Sequence, residues 1–149
     1  MQKQVTKSII VKGKPSEVYP VWENVENFPS FMKYVKSVTK SGDGSSHWVV
    51  EIPGVGQVEW EAETTKLEAN KRIGWSSKDV GELKSSGQAT FTSLPEREQT
   101  QVTVTMQLFA ETGPLAGGDS IDNLDQILEE ELRNFKAYVE GMEDRLPKD

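Results

Sequence analysis

Apolar and polar residues alternate with a period of two over most of residues 1–110, and apolar residues recur at helical spacing towards residue 149. Residues 3–12 read as a first strand. After Pro15-Ser16-Glu17, the residues Val18, Val21, Trp22 and Val25 follow helical spacing, with Ser16 as a suitable N-cap. Pro20 then removes the first intrahelical hydrogen bond, which predicts a kink or a late start. Phe28-Pro29-Ser30-Phe31-Met32 predicts a second short helical turn bearing exposed aromatic rings, as a lid, a partner patch or a cap on the core.

From residue 34 the pattern is that of strands. Segments 34–41 and 46–53 predict a hairpin around Ser41-Gly42-Asp43-Gly44-Ser45, and Pro53-Gly54-Val55-Gly56 predicts the next turn. Val58, Trp60 and Ala62 share one strand face; Glu59, Glu61 and Glu63 share the other, a solvated row that also discourages sheet-edge pairing. Residues 71–78 place Ile73 and Trp75 together, and residues 84–93 do so for Gly87, Ala89 and Phe91. Residues 100–110 set Val102, Val104, Met106 and Leu108 against Gln101, Thr103, Thr105 and Gln107. One-sided alternation on consecutive strands predicts an antiparallel sheet wetted on one face.

The last element is a helix from about Ser120 to about Arg145, capped by Ser120 or Asp119, with Asp122 and Asp125 at its positive end, and closed by Pro147. Nine apolar residues, among them Leu128, Leu132, Phe135 and Val139, fall within an arc of about 140° at about 100° per residue. A curved apolar sheet face and one broad helical stripe bury each other when the sheet wraps around the helix. The fold class is therefore α+β. A length of 149 residues suits a single domain over 1–149, and no repeat or linker interrupts it.

Composition narrows the chemistry. The chain has no cysteine, which removes disulfides, thiolate metal sites and a cysteine nucleophile. One histidine, His47, rules out multi-histidine metal sites, and no nucleophile-elbow motif accompanies it. No cofactor is expected. Residues 1–110 hold 13 acidic and 13 basic side chains, whereas residues 111–149 hold 11 acidic and 4 basic ones. The net charge of −7 thus lies wholly in the last 39 residues. Without a basic patch, neither nucleic acid nor an anionic membrane surface is an expected partner. The apolar run Ile9-Ile10-Val11 is too short for a signal-peptide core or a spanning helix, so a cytoplasmic location is expected.

The chain resembles the START-related superfamily, also called SRPBCC or polyketide cyclase/dehydrase proteins, which share the birch-pollen-allergen helix-grip fold. The matching stretches are Ile9-Ile10-Val11, Pro15 to Trp22, Asn27 to Met32, Trp48-Val49-Val50, Val58 to Glu63, Arg72 to Ser77, Gly87 to Phe91 and Leu132 to Lys136. They cover nearly the whole chain in order; Pro20 departs from the pattern. The superfamily includes lipid carriers, coenzyme Q-binding proteins, plant hormone receptors and aromatic-ring cyclases, so the resemblance implies a fold more sharply than an activity. It implies a cavity between sheet and C-terminal helix, entered near the first loops. There it implies binding of a hydrophobic or aromatic small molecule of lipid, isoprenoid or polyketide class. An aromatase/cyclase-like enzyme, or a ligand-free interaction subunit using the acidic C-terminal surface, stays open.

The expected ligand-binding residues are Trp48, Trp60, Trp75, Phe91, Met106, Leu128, Glu131 and Phe135, beside Val50, Val104 and Val139. Bulky indoles suit flat or lipid-like ligands, and equally suit a filled core. Glu131 is the candidate catalytic residue: its helical angle sets it among Leu124, Leu128 and Phe135, where desolvation would raise its pKa. The alternative is that Glu131 lies at a gap in the sheet and reaches water or a lysine. Ser77, Thr64 and Tyr138 are the further candidates for enzyme chemistry. Gly54-Val55-Gly56 and Gly113-Pro114-Leu115-Ala116-Gly117-Gly118 lack the context of phosphate loops and read as a turn and a link.

Overall fold

The alternating residues Gln2–Lys12 form β1, and Gly13, at φ +123°, turns the chain into a helix. The carbonyl of Gly13 accepts a hydrogen bond from the buried Thr100 hydroxyl at 2.8 Å, which ties this turn to the sheet. The computed structural model describes residues 2–41, 44–52, 56–81, 84–94, 96, 98–109 and 124–145. Within these, α1 (Pro15–Glu23) and a 3-10 helix (Val25–Ser30) precede β2 (Val35–Lys40), β3 (Ser45–Ile52), β4 (Gly56–Glu68), β5 (Arg72–Gly81), β6 (Lys84–Leu94) and β7 (Gln99–Phe109). The long helix α2 (Leu124–Arg145) follows.

All pairings described are antiparallel, in the order β1-β7-β6-β5-β4-β3-β2. The sheet curls into a half-barrel around α2, so the helix-grip fold expected from the sequence is the one observed. Two register shifts between β4 and β5, at Trp60/Ala62 and Thr64/Lys66, add the local bend that curling requires. Val58 and Ala62 are buried on the concave face, while Glu59 and Glu63 are exposed on the other, as the alternation predicted. β4 is an interior strand, however, flanked by β3 and β5, so its glutamate row guards no sheet edge. Instead the row receives His47, whose Nε2 lies 3.0 Å from Glu59 and whose Nδ1 lies 4.0 Å from Glu61.

Three expectations near the start of the chain need correction. The N-cap of α1 is Lys14, not Ser16: Pro15 takes the first helical position, where its missing N–H is no loss. Glu17 also reaches back to the Lys14 N–H at 3.4 Å. With that earlier start the helix runs on through Pro20, and the carbonyl left without a partner is that of exposed Ser16, which water can serve. The short helical turn begins at Val25, and its aromatic residues are not exposed: Phe28 and Met32 are buried and Phe31 is half-buried. The expected caps of α2 at Ser120 or Asp119, its stop at Pro147, the turn at Pro53–Val55 and the link at Gly113–Gly118 lie outside the described residues.

The core joins α1 and the 3-10 helix to α2 and the concave sheet face through Val18, Trp22, Phe28, Phe91, Leu132 and Phe135. A smaller cluster of Ile52, Val58 and Leu108 lies against Trp60, Met106 and Ile127. None of the described helices is long and apolar enough to cross a membrane.

Candidate functional site

Between the concave sheet and α2 the side chains leave a cavity of about 550 Å³. That volume is within the roughly 300–1,000 Å³ range of small-molecule sites. Its wall residues that are also exposed include Lys40, Gly44, Glu63, Thr64 and Leu67, with Glu23 at the end of α1. They place the mouth between the first helices, the β2–β3 turn and the later part of β4, near the first loops. Val5, Ile52, Leu108 and Ile127 line the apolar interior away from it.

The walls are built by cross-strand pairing. Trp48 on β3 faces Trp60 on β4, and their rings stack in parallel, 6.1 Å apart with 3° between planes. The Trp48 indole N–H donates to Ser46 Oγ at 2.8 Å, which fixes one ring and satisfies its donor. Trp75 on β5 faces Gly87 on β6 and lies over it, its ring 3.0 Å from where a Cβ would stand. Any side chain at position 87 would also run into the Thr105 carbonyl oxygen. Glycine is thus what lets an indole lie flat against this part of the sheet.

Of the predicted binding residues, Trp48, Trp60, Trp75, Met106, Leu128 and Glu131 are wall residues, as are Val50 and Val104. Phe91, Phe135 and Val139 belong to the closed core. Both phenyl rings pack edge-on against Trp22, at 6.3 and 5.2 Å, and Trp22 itself lines the cavity. Trp22, Phe28, Met32, Tyr34 and Ser85 are among the wall residues that the sequence patterning missed. Trp22 did stand out in the helical set of α1, but which side of that helix meets the cavity depends on its docking angle.

Glu131 is 6% exposed and lines the cavity, within the apolar stripe of α2. Its Oε1 accepts hydrogen bonds from the Lys33 backbone N–H and Asn134 Nδ2, both at 3.0 Å, and its Oε2 accepts one from the Tyr34 N–H at 3.3 Å. The lysine it reaches is thus met through the main chain. Burial pushes its carboxyl above the usual carboxylate range, the three N–H donors pull it down less strongly, and Glu130 adds a further upward push. Tyr34 in turn donates its hydroxyl to Glu130 at 2.6 Å, a bond that raises its own pKa. Two adjacent glutamates of α2 therefore tether the segment entering β2.

The sign of a pH effect follows. A folded state that keeps the Glu131 proton above the pH where the unfolded chain releases it gains stability in full below that release, near 4.5. It loses that gain as pH rises through the folded value. Relative to Glu131→Gln, the native chain should lose stability as pH rises from about 4 to about 7. Thermal unfolding at several pH values checks this, and a flat or rising difference would contradict it.

The remaining candidates disperse. Ser77 Oγ accepts the Ser85 N–H at 2.8 Å, and Thr64 is exposed at the mouth. The Tyr138 hydroxyl accepts from Asn27 Nδ2 at 2.8 Å while its ring stacks on Phe31 at 4.3 Å. His47 lies on the outer sheet face. Among the described residues no group of three histidine, aspartate or glutamate side chains could hold a metal ion.

A half-barrel gripping a long helix around an apolar cavity defines a START-like, helix-grip protein. The chain belongs to the polyketide cyclase/dehydrase and lipid transport family, whose model it matches over residues 2–140. It is similar to a solved structure from Deinococcus radiodurans at 29% identity, with 91% of this chain and 95% of that chain covered and a TM-score of 0.70. A Thermus thermophilus structure is 24% identical, covering 94% and 99% of the two chains at a TM-score of 0.76. The Zhui aromatase/cyclase of Streptomyces sp. R1128 is 16% identical, covering 97% and 95% at a TM-score of 0.73. The last two likenesses, below 25% identity, concern the fold alone. No curated protein matches the chain. Family and fold are of the kind that binds hydrophobic ligands or acts as a polyketide cyclase.

Proposed function

We propose that this chain encloses a hydrophobic or aromatic small molecule, of lipid, isoprenoid or polyketide class, and shields it from water. The observation that carries this reading is the cavity of about 550 Å³, walled by Trp48, Trp60, Trp75, Met106 and Leu128. Apolar burial at roughly 25 cal/mol per Å² would drive binding, less the ordering of ligand and side chains. Glu131 favours holding over turnover, because its two oxygens already accept three N–H groups and anchor a segment of backbone.

Native mass spectrometry of protein gently extracted from its own cells tests this, followed by extraction of anything bound. The expected result is a reproducible added mass of a few hundred daltons, on the scale of a drug-sized ligand, that leaves on unfolding. Titration with 2-methylnaphthalene, followed by tryptophan fluorescence, supplies an independent readout. Leu128→Trp, which places an indole into the cavity from α2, should weaken that binding roughly tenfold or more while the circular dichroism spectrum stays native. Absence of both an added mass and any saturable titration would overturn the reading.

A further inference from the structure

Two buried hydroxyls meet no hydrogen-bond partner among the described residues within bonding geometry, those of Tyr19 and Ser85. Tyr19 has a ready account. Burial, with the Glu23 carboxylate one helical turn on, pushes its ionisation up to about 12, and its ring packs edge-on against Phe91 at 5.4 Å. Ser85 has none. It is 4% exposed, yet it is a wall residue of the cavity. On β6 it alternates with Ser86, so its side chain shares the concave face with Gly87 and Ala89. Its partner on β7 is Leu108, one of the apolar cluster. A desolvated hydroxyl in such surroundings is unfavourable until something pairs with it.

The neighbours of Ser85 say what that partner is. Ser46 pairs with Ala62, Ala62 pairs with Ser77, and Ser77 Oγ holds the Ser85 N–H, so hydroxyls recur in one row across the concave face. Ser46 Oγ, which already accepts the Trp48 indole N–H, keeps its own proton to donate. Two residues along the strands to one side stand the stacked Trp48 and Trp60; to the other side Trp75 lies over Gly87. The cation among the described wall residues is Lys40, exposed at the mouth, whereas Glu23, Glu63 and Glu131 also line the cavity. An anionic group brought to Ser85 would find no counter-charge among the described wall residues beside it.

We infer that Ser85 is the polar anchor of the cavity, hydrogen-bonding a neutral oxygen of the ligand, a phenol, alcohol or ketone, carried on a flat ring system lying between the indole rows. This rests on the cavity being a ligand site. Ser85→Ala tests it with two probes of matched shape, 2-naphthol and 2-methylnaphthalene, titrated at a pH where the naphthol is neutral. Ser85→Ala should bind 2-naphthol roughly tenfold more weakly and 2-methylnaphthalene unchanged, while the ligand-free protein melts at the same temperature or higher. Ser85→Cys, close in size but a weaker donor, should fall between the two and guards against a folding defect in the alanine variant. Equal effects on both probes, no effect on 2-naphthol, or a lower melting temperature without ligand would overturn the anchor. If the native chain binds both probes and only the discrimination is missing, the cavity reading survives and the anchor fails. If it binds neither, both fall.

Discussion

Truncating Phe135 to alanine is expected to remove about 3–5 kcal/mol of folding stability, read as a lower urea midpoint at unchanged slope. Phe135 is wholly buried and sits where α2 meets the first helices, with ring contacts to Trp22 at 5.2 Å and Phe31 at 6.1 Å. Deleting it removes apolar burial and leaves a void beneath two large rings that other contacts hold in place. Trp22 also touches Phe28 and Phe91, so it cannot move over to fill the space without losing those contacts. A loss below about 1.5 kcal/mol would mean that the rings do collapse, and that the aromatic cluster is softer than its edge-on geometry indicates.

Glu131→Ala is expected to be nearly as damaging, at about 2–4 kcal/mol, for a different reason. Two backbone N–H groups and the Asn134 amide lose their acceptor together, and the two backbone bonds join α2 to the segment entering β2. Amide hydrogen exchange should locate the effect, with protection lost at Lys33 and Tyr34 well before the strands open. That segment carries the wall residues Met32, Tyr34 and Val35, so a probe such as 2-methylnaphthalene should also leave the cavity faster. Unchanged protection at Lys33 and Tyr34 would mean that the tether is incidental.

The strands and the helix were legible because each has one wet and one dry face. Val58, Trp60 and Ala62 against Glu59, Glu61 and Glu63 state that arrangement in six consecutive residues, and the stripe of α2 does so at helical period. Glu131 was legible in the same way, as one acid out of place among apolar neighbours. Two of its three partners were not, since they are backbone N–H groups nearly a hundred residues away, which carry no side-chain signature. Nor does apolar patterning divide core from cavity wall. Phe135 and Leu128 lie on the same helical stripe, and only the docking of α1, which brings Trp22 against Phe135, assigns one to each. Ser85 shows the complementary limit. A serine on a strand is unremarkable in a sequence; it acquires meaning when its hydroxyl is found buried, facing apolar walls, with no partner among the described residues.

The pairing of β1 with β7 has a kinetic consequence. Thr6 and Thr105 face one another across 99 residues of chain, and the whole of β1 is paired in that way. A strand made early therefore has no sheet neighbour until the seventh is complete, and α2, which also packs on it, comes later still. Such non-local closure is slow, so folding on a timescale of roughly milliseconds to seconds is expected. During synthesis β1 must wait as an unpaired edge, the stretch from Val5 to Val11 being the part most open to capture by another chain. The polar residues Thr6, Lys7 and Ser8 interrupt its apolar run and make that interval safer.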